Sequence, residues 1–123
     1  ILFQIFLVAS GGAIGALLRF TLSNLIKSIL VNSLYSTFCV NILGSFTIGY
    51  LISLGYEKNI PENFVKYFLI IGLLGSFTTF SSFSFEVVEL LLIKKFLLSF
   101  FYIIISVFFC ILAAYIGMNF NKF

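Results

Sequence analysis

The chain has 123 residues and a formal net charge of +3, with 62% of its residues hydrophobic and 9% charged. At a mean hydropathy of +1.23, that much apolar surface cannot be hidden in a soluble fold of this length. A water-facing catalytic or nucleic-acid-binding domain is therefore excluded, and the composition predicts an all-α membrane protein. Aromatic residues make up 20%, from 18 Phe and 6 Tyr with no Trp, so Tyr must serve as the interfacial anchor. There is no His, and Cys39 and Cys110 lie in apolar runs without metal-site or redox spacing, which makes them small packing residues.

Four runs are long enough to cross ~30 Å of hydrocarbon, at about residues 2–26, 34–54, 64–92 and 96–119. They form a single four-helix transmembrane domain. The first run lacks a basic n-region and an A-x-A cleavage pattern, so it reads as a retained helix rather than a signal peptide. Within it Gly11, Gly15 and Arg19 recur every four residues beside Gly12 and Ala16, a small-residue face that permits close helix approach. Lys27 and Val31-Asn32-Ser33 mark the first break. In the second run Thr37, Asn41 and Ser45 keep the same spacing, with Gly44 and Gly49 nearby. Hydrogen-bonded packing accounts for each hydroxyl, whereas the donors and acceptors of Asn41 suit a pore position as well as a packing one.

A polar stretch from Gly55 to Asn63 follows, containing the only proline, Pro61, placed so that Asn63 can cap the third helix. The third run carries Gly72-Leu73-Leu74-Gly75-Ser76-Phe77-Thr78-Thr79-Phe80-Ser81-Ser82-Phe83-Ser84, where two glycines and a threonine pair weaken the helix. The expectation is a span broken mid-membrane, whose freed carbonyls around Gly75 to Thr78 suit a bare cation, while the following half-helix N-terminus favours an anion. Phe80 and Phe83 share one face of that half-helix. Their ring edges are partly positive and could face an anion, although two such rings at helical spacing are more often ordinary packing. Glu86 and Glu89 read as solvated carboxylates near the helix end, with Glu86 at an exit as the alternative. After Lys94-Lys95, the fourth run presents Tyr102, Ser106 and Cys110, continuing into Ala113, Ala114 and Gly117.

The lysine count does not choose a topology. The face with the N-terminus, second loop and C-terminus holds Lys58, Lys66 and Lys122; the other holds Lys27, Lys94 and Lys95. With Arg19 set aside as intramembrane the bias is near zero, as dual insertion needs. A flanking segment that fixes one orientation is the alternative.

These motifs carry a resemblance to the Fluc/CrcB family of fluoride channels. The first span resembles that family's G-G-x-x-G-A-x-x-R pattern in Gly11, Gly12, Gly15, Ala16 and Arg19; the second, its Asn-centred motif in Thr37, Asn41, Gly44, Ser45 and Gly49, with Ser36 where Gly is common. The third resembles G-x-x-G-G-F-T-T-F-S-T-F, with Ser76 for the second of the paired glycines and Ser82 for a threonine. The resemblance implies a passive fluoride-selective channel in the cell membrane, an antiparallel dual-topology homodimer with two pores that lowers cytoplasmic fluoride. It also implies a structural sodium ion between the subunits, held by the backbone carbonyls of Gly75 and Thr78. Asn41 would stand at the pore, Phe80 and Phe83 would form its aromatic wall, and Ser81, Ser82, Tyr102 and Ser106 would supply donors. Arg19 would lie at the vestibule.

Two other classes stand beside this one. Small multidrug transporters are also short four-helix proteins, but they need a membrane-embedded acid in the first span, where this chain has Arg19. An assembly or anchoring subunit would explain the glycines but would not require a broken third span beside Asn41 and the paired Phe. Enzymatic chemistry is not expected: no His, no membrane Asp and no nucleophile beside a base is present.

Overall fold

A computed structural model describes residues 1–123 as a bundle of helices. α1 runs Leu2–Leu30 and α2 Ser33–Lys58. The third span opens with a π-helix, Phe64–Leu74, and passes into the single turn α3, Gly75–Phe77. α4 spans Phe80–Leu92, α5 spans Phe96–Asn119, and a 3-10 turn, Phe120–Lys122, ends the chain. Four helical stretches, including Phe64–Leu92 taken together, are long and apolar enough to cross a membrane.

The turns follow local chemistry. Val31 closes α1 in the left-handed region at φ 60°, its N–H bonded to the Lys27 carbonyl at 3.0 Å, a conformation disfavoured for a β-branched residue. Asn32 then caps α2 by accepting the Leu34 N–H at 3.0 Å. α2 continues through Gly55–Lys58, which the sequence assigns to a loop, and stops at Asn59, a residue suited to its φ of 50°. The cap expected of Asn63 does not form; its backbone is already helical, and the carbonyl of Pro61 accepts the N–H groups of Phe64 and Val65 instead. Between α4 and α5, Lys94 adopts φ 60°. The bonds Lys94 N–H to Leu91 O and Lys95 N–H to Leu90 O complete a Schellman motif.

The bundle is assembled from two close pairings. α1 runs alongside the π-helix in the same direction, and a Cβ on Gly11 or Gly15 would run into the carbonyl oxygens of Phe68 and Leu73. α2 and α5 likewise run together, since Phe38 meets Phe109 and, further along both helices, Gly49 meets Ala114. There a Cβ on Gly117 would enter the Phe46 carbonyl. Backbone contact of this kind is the means by which membrane helices gain packing without a hydrophobic drive between them. The resulting interior is small and mixed, with Val40, Leu74, Phe83 and Leu90 buried beside the polar Ser36, Thr37, Thr79, Glu86, Ser99 and Ser106, while large side chains such as Phe6, Phe20, Phe85 and Phe108 face outward.

Candidate functional site

After Phe77 the helix is interrupted: Thr78 takes φ −77°, ψ 158° and Thr79 φ −147°, ψ 107°, and α4 starts at Phe80. Two extended residues remove backbone groups from the helical ladder, and each must find another partner. On the upstream side Thr78 closes α3 itself, donating both its N–H (3.0 Å) and its hydroxyl (2.9 Å) to the Leu74 carbonyl. On the downstream side Thr79 caps α4, its Oγ1 accepting the Ser82 N–H at 3.1 Å and lying 3.2 Å from Ser81 Oγ. The remaining groups of Thr79 are taken by Asn41. Its Oδ1 accepts the Thr79 N–H at 2.8 Å and its Nδ2 donates to the Thr79 carbonyl at 3.0 Å. A hydroxyl would have to meet both groups from one oxygen, whereas the amide offers a donor atom and an acceptor atom side by side. One amide proton of Asn41 is left over.

Beside this clamp lies an open groove of about 380 Å³, lined by Asn41, Gly44, Ser45, Gly75, Thr78, Thr79, Phe80, Phe83, Ser106 and Cys110 together with aliphatic side chains. Of the residues singled out from sequence, Asn41, Gly75, Thr78, Phe80, Phe83 and Ser106 share this groove. Ser81, Ser82, Tyr102 and Arg19 do not line it. Ser81 is exposed, Ser82 and Arg19 are half-buried, and Tyr102 is buried. Phe80 and Phe83 lie 5.4 Å apart between ring centroids, and Phe83 lies 5.2 Å from the Tyr102 ring. The two phenylalanines differ sharply in environment, Phe83 being 7% exposed and Phe80 75%. Ser106 Oγ is buried without a partner. Ser76, where the family motif has glycine, directs its hydroxyl toward α1, where a Cβ on Gly12 would sit 3.3 Å from it.

Glu86 departs from the solvated reading. It is 6% exposed. The Thr37 hydroxyl donates to Oε1 and the Tyr102 hydroxyl to Oε2, each at 2.6 Å, so α2, α4 and α5 meet on one carboxylate. Glu89 is exposed, as read. The distinction follows the buried stripe of α4, Phe83, Glu86 and Leu90, which recurs at helical spacing and leaves Glu89 outside its arc. That stripe was the sequence signal for Glu86.

For a cation, Gly75 and Thr78 offer oxygen donors of the right chemistry. Gly75 is exposed on the groove side, and ψ at Thr78 turns its carbonyl out of the helix direction. Two carbonyls alone would leave a hard cation short of ligands, so the remaining oxygens would have to come from elsewhere.

A helical bundle with apolar flanks, polar groups buried between its helices and a groove at a helix interruption defines a multi-pass membrane protein of the cell membrane. The chain belongs to the CrcB-like family: residues 6–118 match the model described as CrcB-like protein, Camphor Resistance (CrcB). It is 40% identical over 116 residues to the fluoride-specific ion channel FluC of Magnetococcus marinus, covering 94% of each chain. It is 37% identical over 119 residues to FluC of Flavobacterium psychrophilum, 96% of each. Against FluC 1 of Methanosarcina acetivorans it is 39% identical over 116 residues, 94% of this chain and 88% of the relative. These relatives are ion channels, not enzymes.

Proposed function

We propose that the protein is a passive, fluoride-selective channel that lets fluoride leave the cell and so lowers its cytoplasmic concentration. The observation that carries this reading is the Thr78–Thr79 interruption, held open by Asn41 against the groove that contains Phe80, Phe83 and Ser106. A small, hard anion gives up hydration only to closely spaced donors in a narrow path. The spare proton of Asn41 and the unpaired hydroxyl of Ser106 are such donors. Phenyl ring edges at Phe80 and Phe83 add weak, well-oriented positive potential without binding too tightly to release. Ser81 and Ser82 follow beside Thr79, and Arg19 attracts the anion from the vestibule. Tyr102 has one proton, donated to Glu86, so it serves the anion only when Glu86 releases it.

The pore is completed by a second copy in an antiparallel, dual-topology homodimer. Support comes from the exposure of Phe80 beside its buried partner Phe83, from the open side of the groove and from the balanced lysine count. In that dimer the interruption lies mid-membrane, and the carbonyls of Gly75 and Thr78 from both copies hold one structural sodium ion, which supplies positive charge at the interface.

The test is fluoride efflux from proteoliposomes loaded with potassium fluoride and triggered by valinomycin, with chloride-loaded vesicles in parallel. Rapid fluoride loss with chloride retained, abolished by Phe80→Ile with Phe83→Ile, is the expected result. Fluoride retention by folded wild-type dimers would overturn the channel reading.

A further inference from the structure

Two hydroxyls of α5 are buried with no hydrogen-bond partner in the chain, Ser106 Oγ and Ser99 Oγ. Ser106 opens on the groove. Ser99 is more enclosed, at 1% exposure. A helical serine or threonine usually returns its hydroxyl to the carbonyl four residues back, as Ser10, Thr47 and Ser84 do here. At Ser99 the Lys95 carbonyl accepts the backbone N–H at 3.0 Å, and the hydroxyl is left over. A buried hydroxyl without a protein partner calls for a water or an ion.

The position of Ser99 says which. Ser99, Tyr102 and Ser106 follow one another at spacings of three and four on a single face of α5, and all three are buried. Tyr102, in the middle, holds Glu86. One turn before Ser99 lies the start of α5, where Lys95 caps the helix without a side-chain hydrogen bond. The first-turn N–H groups of this 24-residue helix therefore remain as donors, with the exposed ammonium groups of Lys94 and Lys95 beside them. Helical side chains lean toward their own N-terminus, which directs Ser99 Oγ toward those donors.

We propose that Ser99 is a donor subsite of the anion route, passing fluoride and its accompanying water between the Glu86–Tyr102 pair and the lysine-bearing start of α5. The proposal rests on the channel reading above and extends the route beyond the groove. Removing a hydroxyl that no protein atom uses leaves the fold as stable as before or more so; removing a donor from the route slows the ion. Stability and flux then part company.

The experiment measures fluoride efflux and the thermal midpoint of the purified dimer for wild type, Ser99→Ala and Ser99→Thr. Ser99→Ala is expected to assemble with an unchanged or raised midpoint and to conduct about tenfold more slowly, with Ser99→Thr returning to within about threefold of wild type. Wild-type flux in Ser99→Ala overturns the proposal. So does loss of assembly in that variant, since the hydroxyl would then have a structural partner, and so does a slow Ser99→Thr, which marks a packing position. Retention of fluoride by the wild type itself overturns the channel reading, and this subsite with it.

Discussion

Replacing Asn41 with alanine removes two hydrogen bonds at once and leaves the N–H and the carbonyl of Thr79 bare at the helix interruption. Interhelical side-chain bonds in membrane proteins average about 0.6 kcal/mol, because the unfolded chain in the bilayer finds other partners. Two of that size give a floor of about 1.2 kcal/mol. The partners of Asn41 are backbone groups whose extended geometry denies them a helical substitute, and each then approaches the ~1.5 kcal/mol of a well-made bond, for a ceiling of about 3 kcal/mol. Asn41→Ala should therefore lose about 1–3 kcal/mol, read from denaturant or thermal unfolding of the purified protein in detergent. Asn41→Asp keeps the acceptor for the Thr79 N–H but sets a carboxylate oxygen against the Thr79 carbonyl, so it should lose at least as much. Both variants should slow fluoride efflux, the aspartate more strongly because its charge repels the anion. A loss below about 0.5 kcal/mol in Asn41→Ala with normal efflux would refute the clamp.

Other consequences can be measured in the same preparations. Thr37→Val and Tyr102→Phe each remove a donor from the buried Glu86 carboxylate, at a cost of about 1.5–3 kcal/mol. Together they should cost more than the sum, because the second change leaves the buried carboxyl group with neither hydroxyl; additivity within about 0.3 kcal/mol would count against a shared partner. Gly117→Ala places a Cβ into the Phe46 carbonyl, forcing α2 and α5 apart, and should destabilise by about 1–3 kcal/mol; an unchanged midpoint would argue against this backbone contact. Exchange of sodium for N-methyl-D-glucamine should lower the thermal midpoint of the purified protein and slow efflux, whereas indifference to sodium would rule out a structural cation at Gly75 and Thr78.

The spans are legible because a long apolar run has few other uses, and the turn at Val31–Asn32 falls where polarity rises. The end of α2 is not. Hydropathy reports where a segment leaves apolar surroundings, and Tyr56, Glu57 and Lys58 are helical residues beyond that point. Thr78 and Thr79 announce a weak helix by their type, yet what holds the interruption open is a side chain 38 positions away acting on backbone, which no local pattern displays. Glu86 carries a local signal, its helical spacing with Phe83 and Leu90, but nothing local shows the partners that hold it there. A glutamate near a helix end normally faces water, and its burial here depends on hydroxyls 49 and 16 residues distant on two other helices.

The pairing of α1 with the π-helix and of α2 with α5 also bears on how the chain is made. In each pairing the partners are separated in the chain by an intervening span, so neither glycine face can be covered when its own helix first enters the bilayer. As synthesis proceeds, α1 waits for the π-helix, and α2 waits until α5 has been made. A nascent chain halted after Leu92 would hold α2 with its Gly49 surface open to lipid, because the Ala114 and Met118 backbone that covers it has not yet been made.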